Sequence, residues 1–158
     1  MRVVYVVLLM LSISAADAKD KPRDSAVRFE FAADTSLVLV PIYVNGHGPY
    51  RFLLDTGASH SVLSQEVADR LEIPRGRAEK LITAGGAVPV TIRQLDALQF
   101  GAARIVRLSI AVANLVLLAD LRVDGILGGD CLRYFNPAID YAGKVVRIEP
   151  SSERHSRP

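Results

Sequence analysis

The chain has 158 residues, of which 50% are hydrophobic and 23% charged, and 19 Lys and Arg against 17 Asp and Glu give a formal net charge of +2. This length allows one domain with a sizeable core and is too short for two lobes of ordinary size. The composition excludes a disordered protein, and the lack of a sustained basic stripe excludes nucleic acid as an expected partner.

The N-terminal segment, residues 1–18, is predicted to be a signal peptide. Arg2 precedes an apolar run over residues 3–11, and the small residues that follow end in a cleavage-site pattern at residues 16–18. The run is shorter than the ~20 residues of a membrane span, so we expect no stable span after cleavage. An uncleaved N-terminal anchor is the alternative. In either case the pattern predicts an exported protein, periplasmic or secreted.

The folded domain is expected to span residues 28–150. Before it, residues 19–27 are largely polar, contain Pro22 and show no helical or strand periodicity, which predicts a flexible leader. After it, residues 151–158 offer no hydrophobic side chain to bury and are predicted to form a disordered tail.

Short apolar stretches rich in Val and Ile, separated by Gly, Pro and Asn-Gly, predict an all-β domain. Residues 37–44 and 50–54 flank a glycine-rich turn and are expected to pair as a hairpin. Pro41 lacks an N–H group, so its strand should lie at an edge or be irregular at that point.

A second hairpin is predicted around Gly85 and Gly86, with residues 80–84 and 87–92 as its strands. Two glycines favour this turn because glycine tolerates positive φ angles.

The remaining predicted elements are a long strand, a third hairpin and a short helix. The strand covers residues 104–112, and the hairpin joins residues 138–141 to residues 144–148. The helix covers residues 65–71 and is expected to begin at a Ser64 cap and to end before the following proline.

Asp55 is the candidate for chemistry, because it directly follows the apolar end of a predicted strand and precedes small residues. Asp-Thr-Gly alone is a common loop triplet, so Asp55 could equally be a turn residue. A second motif, Ile126-Leu127-Gly128, occurs later in the chain. Together the two motifs, Leu53-Leu54-Asp55-Thr56-Gly57-Ala58 and Ile126-Leu127-Gly128, resemble the signatures of the retropepsin-like aspartic peptidases, in their single-domain, exported bacterial form.

The resemblance runs from about residue 37 to residue 148, and the Gly85-Gly86 hairpin lies where that family has its flap. It implies a retropepsin-like acid-protease barrel with a flap hairpin and one or two short helices. It further implies an aspartic endopeptidase that acts on peptide or protein substrates. The implied roles are catalytic for Asp55, Thr56 and Gly57, substrate-binding for Ala58, Ser59, Gly85 and Gly86, and structural support of the site for Ile126, Leu127 and Gly128.

The chain contains a single Asp-Thr-Gly sequence. Hydrolysis by this chemistry needs two carboxylates that share one proton, so a homodimer with one Asp55 from each chain is expected. Ser59 and Gly129 replace an Asp and an Arg that pair in many retroviral members. We therefore hypothesise a weak or substrate-promoted dimer, associated through the strand around residues 145–148.

Cys131 and the three His residues are not expected to be catalytic. Cys131 is the one cysteine, which excludes an internal disulfide and favours a small buried residue over a nucleophile. The three dispersed His residues give no metal-ligand spacing, so neither a metal nor a cofactor is expected. His60 is expected to be a cleft-wall residue, because a carboxylate pair needs no further base.

Two other readings of the whole chain stay open. One is a catalytically silent retropepsin-like module that binds peptide or protein in the exported space, with Asp55 kept for structure. The other is a secreted β scaffold in which the Asp-Thr-Gly triplet is coincidental.

Overall fold

The computed structural model describes residues 26–83 and 85–148. The segments predicted as signal peptide and tail, and the leader before residue 26, lie outside these residues. In chain order the elements are β1 (Ala26–Arg28), β2 (Glu30–Phe31), β3 (Val38–Val44), β4 (His47–Leu54), β5 (Val62–Ser64), α1 (Gln65–Arg70), β6 (Arg77–Thr83), β7 (Gly86–Phe100), β8 (Ala103–Ala113), a 3-10 helix (Val116–Leu121), β9 (Gly125–Leu127), α2 (Gly129–Leu132), β10 (Pro137–Asp140) and β11 (Val145–Ile148).

Six of these strands close into a barrel. Their hydrogen-bonded order is β3-β4-β9-β5-β8-β7, and β7 returns to β3 where Phe100 pairs with Ile42. Closure removes the exposed sheet edges that a flat sheet of this size would leave. The all-β prediction is confirmed.

The three predicted hairpins are present as β3–β4, β6–β7 and β10–β11. The first turn is tighter than predicted, because His47 already pairs with Val44. The predicted long strand is β8, and the predicted helix is α1, where the Ser64 hydroxyl accepts a hydrogen bond from the Val67 N–H at 3.2 Å.

Pro41 does not mark an edge strand. Its strand β3 pairs with β4 along one side, while the other side pairs first with β2, up to Leu39, and then with β7, from Ile42 onward. Pro41 lies in the gap between these two partners, where a missing N–H costs no ladder hydrogen bond. The predicted irregularity is present as a register shift between Ile42 and Val44.

A separate three-stranded sheet has the order β1-β11-β10. Ala26 pairs with Arg147 and Val27 with Val146, and Val27 packs against the main core. The predicted leader, residues 19–27, therefore overlaps β1 at Ala26 and Val27.

The same sheet bears on the hypothesis that the chain associates through residues 145–148. Strand β11 is central, with β1 bonded along one edge and β10 along the other. A partner strand that added directly to β11 would have to displace one of them.

Candidate active site

Strand β4 delivers Asp55 from a segment that is buried on both faces. Phe52 and Leu54 pack into the main core, while Leu53 packs on the opposite face with Ala32 and Leu39. The Asp55 N–H then donates to the Leu127 carbonyl at 3.1 Å, which extends the pairing with β9 by one residue. The position of Asp55 is therefore fixed by the core behind it.

The loop that follows turns sharply around the carboxylate. The Gly57 N–H donates to Asp55 Oδ1 at 2.9 Å, and the Ala58 N–H donates to the Asp55 carbonyl at 3.3 Å. Asp55 is half-buried, while Thr56 and Gly57 are exposed. A Cβ at Gly57 would lie 3.3 Å from Asp55 Oδ1, a tight contact that glycine avoids. The hydrogen bond to an ionised acceptor orients the carboxylate.

Strand β9 supports the loop from behind, between β4 and β5. Ile126 lies opposite Leu53 on one side and opposite Val62 on the other, in parallel and antiparallel pairing respectively. The predicted support residues Ile126 and Leu127 therefore flank the strand end that carries Asp55.

Gly128 is the point of closest approach between β9 and the loop. A Cβ there would lie 2.6 Å from the carbonyl carbon and oxygen of His60 and 2.9 Å from the Ala58 carbonyl oxygen. No larger residue fits without moving the loop backbone. The glycine of the second motif is thus explained by contact with the loop of the first.

Ser61 and Asp130 complete this support, and neither was predicted from the sequence. Asp130 Oδ1 accepts hydrogen bonds from the Ser61 N–H at 2.8 Å and from the Ser61 hydroxyl at 2.6 Å. The same oxygen accepts from the Cys131 N–H at 2.8 Å, in the first turn of α2. The available sequence signal was an acidic residue directly after Gly128-Gly129 at a helix start.

The predicted flap is the β6–β7 hairpin, with Gly85 and Gly86 exposed at its turn. Gly86 has a φ angle of +110°, which accounts for glycine there. Thr83, which was not predicted, accepts from the Gly85 N–H at 3.2 Å and donates to the Gly86 carbonyl at 2.9 Å. The turn is therefore held by a side chain of its own strand.

An apolar cluster ties this hairpin to the strands that support Asp55. Leu81 and Val88, which pair across the hairpin, pack against a buried cluster that contains Val62, and Ile126 packs against the same cluster. Val62 and Ile126 belong to β5 and β9. The inner face of the hairpin is thus continuous with the apolar surface beside the loop.

Asp124 has a structural role. Its Oδ2 accepts from the Arg51 N–H at 2.8 Å, its own N–H donates to the Arg51 carbonyl, and its carbonyl accepts from the Ser64 N–H. These bonds join β4 and β5 to the start of β9. Asp124 therefore does not act as a second catalytic carboxylate within the chain.

Cys131 and His60 differ in exposure, since Cys131 is buried and His60 is not. Burial raises the pKa of the Cys131 thiol to about 12, so this thiol is a poor nucleophile. His60 is exposed.

In residues 26–83 and 85–148, no three His, Cys, Asp or Glu side chains are grouped to hold a metal ion. The helices of this same part of the chain are too short or too polar to cross a membrane.

Comparison with known proteins gives a family and a fold. Residues 40–131 match a family profile described as aspartyl protease. The fold is similar to a retropepsin-like aspartic protease from Rickettsia conorii, with a TM-score of 0.52, 19% identity, and coverage of 78% of this chain and 86% of that one. The EIAV protease complexed with the inhibitor HBY-793 also matches, with a TM-score of 0.46, 27% identity, and coverage of 65% and 90%. No curated protein matches. The predicted retropepsin-like fold is confirmed.

Proposed function

We propose, from the premise that this chain belongs to the aspartyl protease family, that it is an aspartic endopeptidase that hydrolyses peptide bonds as a homodimer. The observation that carries the proposal is the fixed position of Asp55. Its backbone is bonded to Leu127, its carboxylate accepts from the Gly57 N–H, and its loop is braced by Gly128. A turn residue in a plain scaffold would not need this support.

The chemistry requires a second carboxylate, and the chain supplies one Asp-Thr-Gly sequence. In a dimer, two Asp55 side chains share one proton, because two carboxylates at close range repel each other and only one of them stays ionised. The ionised member takes a proton from a water molecule. The protonated member donates to the carbonyl oxygen of the peptide, and the water oxygen attacks the carbonyl carbon. The C–N bond of this tetrahedral intermediate then breaks: the amine nitrogen receives the proton that came from water, and a hydroxyl of the intermediate returns a proton to the other carboxylate.

Other loop residues have supporting roles in this proposal. Thr56 is exposed beside Asp55, as a residue that bonds to the partner chain would be. Ala58 and Ser59 line the cleft along the substrate backbone. Gly85 and Gly86, at the flap tip, close over an extended peptide and exclude water.

The rival function is a catalytically silent module that binds peptide or protein. The partial exposure of Asp55, between the buried Leu54 and the exposed Thr56, favours the enzyme, since a purely structural aspartate is normally enclosed by its hydrogen-bond partners. A silent module would bind peptides without cleaving them.

A peptide-cleavage assay with the Asp55→Asn variant tests the proposal. Asparagine keeps the size of the side chain but cannot take a proton from water, so we expect loss of cleavage in a folded protein. Pepstatin, an inhibitor of aspartic peptidases, should inhibit the unchanged chain. The control is Asp96→Asn, an exposed carboxylate on β7, which should leave cleavage unchanged. Cleavage that survives Asp55→Asn would overturn the proposal.

A further inference from the structure

One carboxylate behind the site gathers three hydrogen bonds on a single oxygen. Asp130 Oδ1 accepts from the Ser61 N–H, from the Ser61 hydroxyl and from the Cys131 N–H, all within 2.6 to 2.8 Å. Bonds to an ionised acceptor are stronger than those between neutral groups. Asp130 thereby fixes Ser61, at the end of the Asp55 loop, to the first turn of α2.

Ser61 passes this constraint on to the strand behind Asp55. The Ser61 side chain is buried, with 1% of the residue exposed, and its hydroxyl oxygen accepts from the Gly128 N–H at 2.9 Å. The Ser61 hydroxyl donates its hydrogen bond to Asp130, which leaves its oxygen lone pairs to accept from the Gly128 N–H. The three residues form a chain of bonds from α2 through the loop end to the close-approach glycine.

Main-chain bonds align the middle of the loop in the same way. The Gly129 N–H donates to the Ala58 carbonyl at 2.8 Å, and the Asp130 N–H donates to the Ser59 carbonyl at 3.1 Å. The start of α2 therefore holds the loop at Ala58, Ser59 and Ser61. Every one of these bonds lies within one chain.

We propose that Asp130 is a positioning residue for Asp55, and this inference rests on the proposed aspartic peptidase function. Asp130 does not bond to Asp55; it acts through Ser61 and Gly128, which set the path of the loop between residues 55 and 61. Displacement of a reacting group by about 1 Å can cost 10²-fold in rate, so a loose loop lowers turnover more than substrate binding.

The first test compares two substitutions at Asp130. Asp130→Ala removes the acceptor, so we expect kcat to fall about 10- to 100-fold with KM changed by less than a few-fold. Asp130→Asn keeps an acceptor oxygen at the same place and should retain kcat within a few-fold. The matched control is Asp140→Ala, which removes a carboxylate that accepts from the Gly143 N–H in the β10–β11 turn. A kcat unchanged in folded Asp130→Ala would overturn the proposal.

Ser61→Ala gives an independent test, because it removes the donor of the hydrogen bond between the Ser61 hydroxyl and Asp130. It deletes the hydroxyl that joins Asp130 to Gly128, so we expect a similar fall in kcat and little further loss when it is combined with Asp130→Ala. If Asp130→Ala does not fold, the comparison is made between Ser61→Ala, which should lower kcat, and Asp130→Asn, which should retain it. An unchanged kcat in folded Ser61→Ala would then overturn the proposal. Additive losses in the double variant would contradict the shared network.

Amide hydrogen exchange separates this proposal from the proposed function. We expect the Gly57 and Ser61 amides of the full chain to exchange faster in Asp130→Ala or Ser61→Ala than in the unchanged chain, and not in Asp140→Ala. If the unchanged chain cleaves no peptide, the proposed function fails. The exchange rates still test whether Asp130 and Ser61 hold the loop in place. If the Gly57 and Ser61 amides exchange at unchanged rates in both Asp130→Ala and Ser61→Ala, the positioning role of Asp130 is overturned.

Discussion

At the scale of single residues, the site depends on backbone contacts that allow one residue type. Gly128 touches the carbonyls of Ala58 and His60, and a Cβ would lie within 3.0 Å of both. The motif residues were predictable because each is marked by its immediate neighbours in sequence. The bond between Ser61 and Asp130 was not, since the two residues are 69 positions apart and each is an ordinary polar residue locally.

Substitution of Gly128 by alanine should therefore disturb both stability and activity. The added methyl group meets loop backbone that cannot rotate away, so we expect destabilisation of about 1–3 kcal/mol together with reduced cleavage. Gly129→Ala is the control, because a Cβ there lies 3.4 Å from the Ala58 oxygen, an ordinary contact. Urea unfolding of the two variants measures the difference; equal stability would count against the close-approach argument.

Cys131 should be chemically inert in the folded protein. Burial raises its pKa to about 12, and little thiolate is present at pH 8. We expect iodoacetamide to leave the native chain unmodified and to alkylate Cys131 fully in guanidinium chloride. Mass spectrometry distinguishes the two forms, and rapid alkylation of the native protein would contradict the buried setting.

At the scale of elements, hairpins and the capped helix follow from local sequence, while the contacts between elements do not. Asn45 lies in the predicted β3–β4 turn, with a φ angle of +50°. Its side-chain oxygen accepts from the N–H groups of Asp96 and Ala97, at 2.9 and 3.1 Å. This contact fastens the turn to β7 where the barrel closes. Nothing in the turn sequence specifies which distant strand it meets.

Helix α1 carries a carboxylate whose effect on stability depends on pH. A hydrogen bond from Gln65, and then the Arg93 guanidinium, lower the pKa of Asp69 below its ordinary value of 3.8. The folded state therefore binds this proton less readily than the unfolded state. The resulting stabilisation is present above pH 3.8 and is lost as pH falls through the lowered pKa.

Asp69→Asn should remove this pH-dependent part of the stability. We expect the variant to unfold at lower urea concentration than the unchanged chain near pH 7, because the buried Arg93 loses its charged partner. The difference in unfolding urea concentration between the two proteins should narrow at a pH below the lowered pKa of Asp69. Asp96→Asn, on an exposed part of β7, is the control. A gap that stays constant with pH would refute the assignment to Asp69.

At the scale of the whole molecule, each chain builds half of the proposed site and braces that half internally. The Gly129 N–H donates to the Ala58 carbonyl and the Asp130 N–H to the Ser59 carbonyl, so the loop is bonded to α2 of its own chain. The loop thus keeps its shape without help from a second chain. In the proposed dimer, the second chain would supply the second carboxylate without having to order the loop.

Mixing of chains tests the shared site. In an equal mixture of unchanged and Asp55→Asn chains that exchange freely, random pairing leaves about one quarter of the dimers with two intact carboxylates. Activity should fall to about that fraction of the value for the same total amount of unchanged protein. A fall to one half would mean that each chain works alone. Activity per chain should also decline on dilution as dimers dissociate.

The central place of β11 has a consequence for how the chain reaches its native state. The first and last strands of the described domain are direct neighbours, with Ala26 opposite Arg147. During synthesis, β1 has no partner until the final strand has left the ribosome. Pairing between such distant segments is slow to form because the intervening chain must first be closed into a loop. The three-stranded sheet therefore cannot be completed until β11 has been synthesised, whereas every strand of the barrel precedes β10 in the chain.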